Sequence, residues 1–101
     1  MNKEENHLSS PVEVGRVVFS KAGRDKGKYF IIVDIIDDQY VNISDGDLRR
    51  LANPKRKKAK HLDMKPEVLE GIKEKILNGK KVFDAELRSA LRALRYFNEK
   101  E

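Results

Sequence analysis

Tyr29-Phe30-Ile31-Ile32-Val33-Asp34-Ile35-Ile36 is a run of β-branched and aromatic residues broken by a single acid. Turn signals bound it: Gly27 on one side and Asp37-Asp38 on the other. A run of this length and make-up reads as a largely buried strand. A buried strand needs partners, and its neighbours supply candidates. Upstream, Val12-Glu13-Val14 alternates, Gly15 interrupts, and Arg16-Val17-Val18-Phe19-Ser20 resumes. A glycine inside a strand pattern marks a bulge or a close backbone approach. Downstream, Tyr40-Val41-Asn42-Ile43-Ser44 alternates again and ends at the turn dipeptide Asp45-Gly46. Three short, closely spaced strands with tight turns suggest a small barrel or sandwich.

The pattern then changes. Leu48-Arg49-Arg50-Leu51 reads as a connection and Asn53–Lys58 as a charged loop, while Ala59-Lys60-His61-Leu62 reads as a last short strand with Leu62 inward. From Pro66 onward the apolar spacing is helical. Pro66 suits a first helical position, Val68, Leu69, Ile72 and Ile76 share a face, and Gly79 suits a terminus. A second helix is expected from Asp84 as its N-cap, with Leu87, Ala90, Leu91, Leu94 and Phe97 at three- and four-residue steps. The expected class is α+β. Residues 1–10 read as a flexible polar tail, 11–64 as the β unit with a basic loop, and 65–101 as a helical extension.

The chain has 101 residues, the size of about one domain. Charged residues make up 39%, well above the ~25% of an ordinary globular chain. Lys and Arg number 22 against 17 Asp and Glu, a net charge of +5. From Arg49 to His61 there are seven cations and no acid, leaving the remainder at −2. The whole positive excess therefore sits in one segment. Such a cluster can neutralise phosphates and release their counterions; the bland alternative is a solvated loop that aids solubility. With no cysteine there is no disulfide, thiol nucleophile or cysteine zinc site. His7 and His61 lie far apart, and no ligands are spaced for a metal. No stretch approaches the ~20 apolar residues of a membrane span, and the polar N-terminus lacks a signal core, so a cytoplasmic location is expected.

The glycine-bearing loop Lys21–Lys28 offers four further cations, Lys21, Arg24, Lys26 and Lys28. It is not a phosphate-binding loop of the nucleotide-hydrolysing kind. Ala22 stands where the first glycine is required, and Tyr29 where a Ser or Thr should hold magnesium. Asp37, Asp38, Asp45 and Asp47 are explained by turn chemistry, and no serine sits in a nucleophile elbow. No catalytic residue and no cofactor is expected.

The string from Val14 to Ile36 resembles a KOW motif, with Gly27 at its characteristic glycine and Gly15-Arg16-Val17-Val18 at its opening. It resembles the KOW-containing large-subunit ribosomal proteins of archaea and eukaryotes. The chain as a whole is similar to the small bacterial KOW-domain RNA-binding proteins related to them, which share the continuation Lys57–Leu62 and a helical tail. The resemblance implies an SH3-like barrel followed by two helices, and contact with RNA and sometimes protein. The expected function is non-catalytic binding of structured, ribosomal RNA. Candidate contacts are Lys21, Arg24, Lys26, Gly27, Lys28, Arg49, Arg50, Lys55, Arg56, Lys57, Lys58, Lys60 and His61. Tyr40, on the opposite parity to Val41 and Ile43, is a candidate for base stacking; Tyr29 is ambiguous and Phe30 better suited to a core. Arg88, Arg92 and Arg95 line the edge of the second apolar stripe, as a solvated flank or the border of a partner groove. The alternative is a protein-interaction adaptor, using barrel and helices on the ribosome or transcription machinery. Neither reading involves a membrane or a small-molecule substrate.

Overall fold

A computed structural model of the protein describes residues 11–98. The tail expected over residues 1–10 lies outside them. The chain runs β1 (Arg16–Ser20), β2 (Tyr29–Ile35), β3 (Tyr40–Ser44), β4 (Lys55–Lys58), a 3-10 turn (Ala59–His61), β5 (Leu62–Val68), α1 (Glu70–Leu77) and α2 (Asp84–Ala93). It is an α+β fold: one five-stranded sheet, ordered β4-β3-β2-β1-β5 and antiparallel throughout, with two helices.

The expected β1, β2 and β3 form nearly at their anticipated limits, but Val12-Glu13-Val14 stays outside the ladder. Gly15 is a close approach: a Cβ there would lie 2.9 Å from the Cβ of Lys73. Three expectations are corrected. Lys55–Lys58 is a strand, not a loop. Ala59–His61 is a 3-10 turn rather than strand, and the last strand begins at Leu62. Pro66 lies within β5, and the helix starts four residues later at Glu70. Proline cannot donate to a ladder, so within sheets it is confined to edges and bulges. β5 is an edge, and its register against β1 shifts between Arg16 and Val18, opposite Val68 and Met64. Pro66 sits in that irregularity. The Arg16 guanidinium donates to the carbonyl oxygens of Lys65 (3.1 Å) and Pro66 (3.0 Å), supplying the partners the ladder omits.

β4 and β5 are opposite edges of the sheet, yet only three residues join them. At a rise of ~2 Å per residue a 3-10 turn spans about 6 Å, so the sheet must curl until its edges approach. The Lys21 N–H donates to the His61 carbonyl and the Ala59 N–H to that of Gln39, both at 2.8 Å, fixing this corner. β4 and β5 form no ladder with each other, and the sheet is not closed.

Burial follows from the curl. Val18, Phe30, Ile32, Val41, Ile43 and Leu62 form one cluster, built from strands alone and lying inside the curl. Val17 and Ile31 point the other way, against Ile72 of α1 and Leu87 and Leu91 of α2. β1 and β2 are therefore covered on both faces, which is why their apolar residues run without alternation. Each fully buried side chain of this size contributes about 1.5–3 kcal/mol. α2 begins one residue differently from expectation. Phe83 is the N-cap, its N–H bonded to the Glu86 carboxylate at 3.0 Å, while Asp84 accepts the Leu51 N–H at 2.8 Å. Asp84 thus ties the helix to the β3–β4 connection. Past α2, Tyr96 stacks on Tyr29 with centroids 4.4 Å apart. The Asn98 side chain accepts the Tyr29 N–H and donates to its carbonyl, both at 2.7 Å, as a neighbouring strand would.

Candidate nucleic-acid interface

The charge cluster is built on β4, at the edge of the sheet. Lys55, Arg56, Lys57 and Lys58 stand opposite Ile43, Asn42, Val41 and Tyr40 of β3. Cross-strand partners share a face, so the four cations do not point together. Lys57 shares the buried face of Val41 and is itself only 7% exposed. Arg56 and Lys58 take the outer face, with Asn42 and Tyr40.

A buried ammonium must be hydrogen-bonded. The Lys57 Nζ donates to the Ala22 carbonyl at 2.7 Å, reaching across to the Lys21–Lys28 loop. It lies 2.8 Å from where a Cβ of residue 23 would be, so Gly23 leaves room for it. A second tether joins the same two segments. Asp25, 5% exposed, accepts from the Arg49 guanidinium: 3.3 Å from Nε to each carboxylate oxygen and 3.1 Å from NH2. The Arg49 N–H in turn donates to Asp45 Oδ1 at 2.8 Å. Two of the seven cations in the block, Arg49 and Lys57, thus hold the basic loop beside β4.

Arg50, Arg56 and Lys60 are exposed, and Lys55, Lys58 and His61 are half-buried. In the loop, Arg24 and Lys26 are exposed, Lys28 is half-buried, and Lys21 is 3.9 Å from Asp63. Three amides in the second half of the loop are engaged: Lys26 N–H donates to Gly23, Gly27 to Ser20 and Lys28 to Asp25 carbonyls. Gly27, at φ +86°, shapes the turn. The loop presents the side chains of Lys21, Arg24 and Lys26 outward, beside the exposed Gly23 and Gly27.

Of the aromatics, Phe30 is fully buried and Tyr29 is engaged by both Phe19 and Tyr96. Tyr40 is half-buried on the outer face, with the Arg56 guanidinium carbon 4.7 Å and the Lys58 Nζ 5.8 Å from its ring centroid. The turn before it is held by Asp37, which accepts the N–H groups of Gln39 and Tyr40 at 2.8 Å each. Those two bonds, Gln39 first, hold the Asp37 carboxyl below its ordinary pKa. Of the expected arginine stripe, Arg88 donates to the Gly46 carbonyl at 2.7 Å and Arg92 is exposed on α2, whereas Arg95, also exposed, lies past the end of the helix at φ +64°. Among the described residues no three His, Cys, Asp or Glu side chains group to hold a metal, and no helix is long and apolar enough to cross a membrane.

Asp25 is the residue that sequence reasoning passed over. Its signal was there: one acid among the four cations of Lys21–Lys28. Asp25→Ala leaves the Arg49 guanidinium without its carboxylate, and a bond to a charged group contributes about 1.5–3 kcal/mol. In a domain of this size 1 kcal/mol corresponds to about 4–8 °C. Thermal denaturation of Asp25→Ala is expected to show a midpoint lower by about 10 °C. An unchanged midpoint would mean that the Asp25–Arg49 pair does not tether the loop.

No protein-family model matches the chain. It is 43% identical over 54 residues to "Large ribosomal subunit protein eL14" of Desulfurococcus amylolyticus, covering 52% of this chain and 54% of that protein. This chain is similar to large ribosomal subunit proteins. The protein of the same name from Staphylothermus marinus is 36% identical over 61 residues, 58% of this chain and 62% of that one. The chain thus spans about half to three-fifths of the length of the curated relatives it matches.

Proposed function

We propose that this protein is a non-catalytic, cytoplasmic RNA-binding protein that holds structured RNA, ribosomal RNA above all, on the surface made by β4, the 3-10 turn after it and the Lys21–Lys28 loop. The observation that carries the reading is the charge distribution. The segment that holds the whole positive excess is folded into an edge strand and tethered to the second basic loop. Similarity to large-subunit ribosomal proteins supports the target class. Phosphate contacts fix position and carry little sequence information, so selectivity comes from RNA shape.

The finer identity belongs to the same proposal: a small KOW-domain RNA-binding protein of the bacterial kind, with an SH3-like barrel that runs through β5 and a helical extension after it. The KOW-like string from Val14 to Ile36 and the curl of the sheet support it, with β5 carrying the strands on to Val68. The competing reading, a protein-interaction adaptor, draws on Leu77, Phe83 and Phe97, which are exposed on and beside the helices.

Crosslinking in cells followed by sequencing of the bound RNA tests the proposal. Enrichment of ribosomal RNA is expected. Absence of crosslinked RNA, with one protein partner retained through nuclease and high salt, would overturn it in favour of the adaptor.

A further inference from the structure

We propose that the corner between Tyr40 and the 3-10 turn is a docking site for an unpaired nucleobase, so that the RNA bound here presents a looped or single-stranded segment to it. The inference rests on the RNA-binding reading and adds which form of RNA the surface takes. It starts from a layered pair. The Tyr40 ring is half-buried, and the Arg56 guanidinium covers it at 4.7 Å while remaining exposed to solvent. A guanidinium is planar and weakly hydrated, and unpaired bases stack on such planes as they do on aromatic rings. The ladder fixes both side chains on the outer face of β3 and β4, and Asp37 holds the turn that leads into Tyr40. The platform is therefore built before any ligand arrives.

A cleft of about 310 Å³ adjoins it, lined by Asp38, Gln39, Lys58, Ala59 and Lys60. That is the low end of the ~300–1,000 Å³ usual for small-ligand pockets. Its chemistry is mixed. Lys58 and Lys60 suit phosphates on either side of a base. Gln39 offers both donors and an acceptor to a base edge. Asp38 disfavours a phosphate inside the cleft and suits an exocyclic amine, which donates to carboxylates. A base with flanking phosphates satisfies all of these, and a phosphate alone does not. Paired bases keep their faces stacked inside the helix, so a duplex leaves the platform unused.

The test uses the full chain, a short single-stranded RNA carrying a fluorescent purine analogue, and the fully paired duplex of the same sequence. The wild-type protein is expected to quench the analogue and to prefer the single strand. Tyr40→Leu is expected to weaken single-strand binding about ten-fold, within the range of one stacked base, and to leave duplex binding and the salt dependence unchanged. Arg56→Lys keeps the charge and the fold and is expected to lose the quenching as well. Equal loss on both RNAs, or quenching that survives Arg56→Lys, would overturn the site while leaving RNA binding intact. Wild-type protein that binds neither RNA would overturn the RNA reading and the site with it.

Discussion

Gly46→Ala is expected to destabilise the fold by about 2–5 kcal/mol. Gly46 lies in the connection after β3, at φ +81°, and is buried against the start of α2. A Cβ there would stand 2.2 Å from the Asp84 carbonyl oxygen and 3.2 Å from the Cγ of Arg88. The left-handed backbone alone costs a non-glycine residue about 1–2 kcal/mol. The collision is with backbone, so relief requires α2 to move. Moving α2 loosens Leu87 and Leu91 from Val17 and Ile31, and strains the Asp84–Leu51 and Arg88–Gly46 bonds. Overpacking of this kind costs about 1–3 kcal/mol more. The sum, about 2–5 kcal/mol, is a substantial fraction of the ~5–15 kcal/mol that holds a domain of about 100 residues. Chemical denaturation of Gly46→Ala against wild type checks it. A midpoint within error of wild type would mean that α2 is not seated on the sheet as described.

Position 46 shows how far the sequence could be read. Asp45-Gly46 is visible as a turn, but the helix it supports lies some forty residues away. The strands with apolar content, β1, β2 and β3, were legible because burial leaves a pattern. β4 was not: Lys55-Arg56-Lys57-Lys58 contains no apolar residue, and an edge strand held by its ladder to β3 needs none. Pro66 misled for a related reason. Its fixed φ suits both a first helical turn and an edge bulge, and only the register against β1 decides between them. The candidate site was legible as a charge excess but not as a surface. Strand parity sends Lys57 inward and Arg56 outward, and only the fold brings Asp25 to Arg49 and Ala22 to Lys57. The outward parity of Tyr40 agrees with its half-exposed position beside β4.

The cations of the block have unequal roles. Arg49 and Lys57 hold the fold together, so neutralising the whole segment would confuse loss of charge with loss of structure. Arg56 and Lys58 lie on the outer face of β4, Arg50 and Lys60 are exposed, and these four are the cations to remove. On single-stranded RNA, each phosphate left without its cation flattens the dependence of log affinity on log salt by about 0.7. The quadruple Gln variant is therefore expected to bind more weakly at low salt and to show a slope smaller by close to ~3. Lys57→Met, by contrast, removes a tether and leaves the phosphate-binding cations in place. It is expected to lower stability and keep the wild-type slope. The direct measurement is a filter-binding salt titration of wild type and the quadruple variant on one single-stranded ribosomal RNA fragment, with folding of both proteins verified by circular dichroism. A steep slope for wild type that flattens by about 0.7 per cation removed is the expected result. The same affinity and the same slope for both proteins would contradict the assignment of RNA binding to the β4 surface.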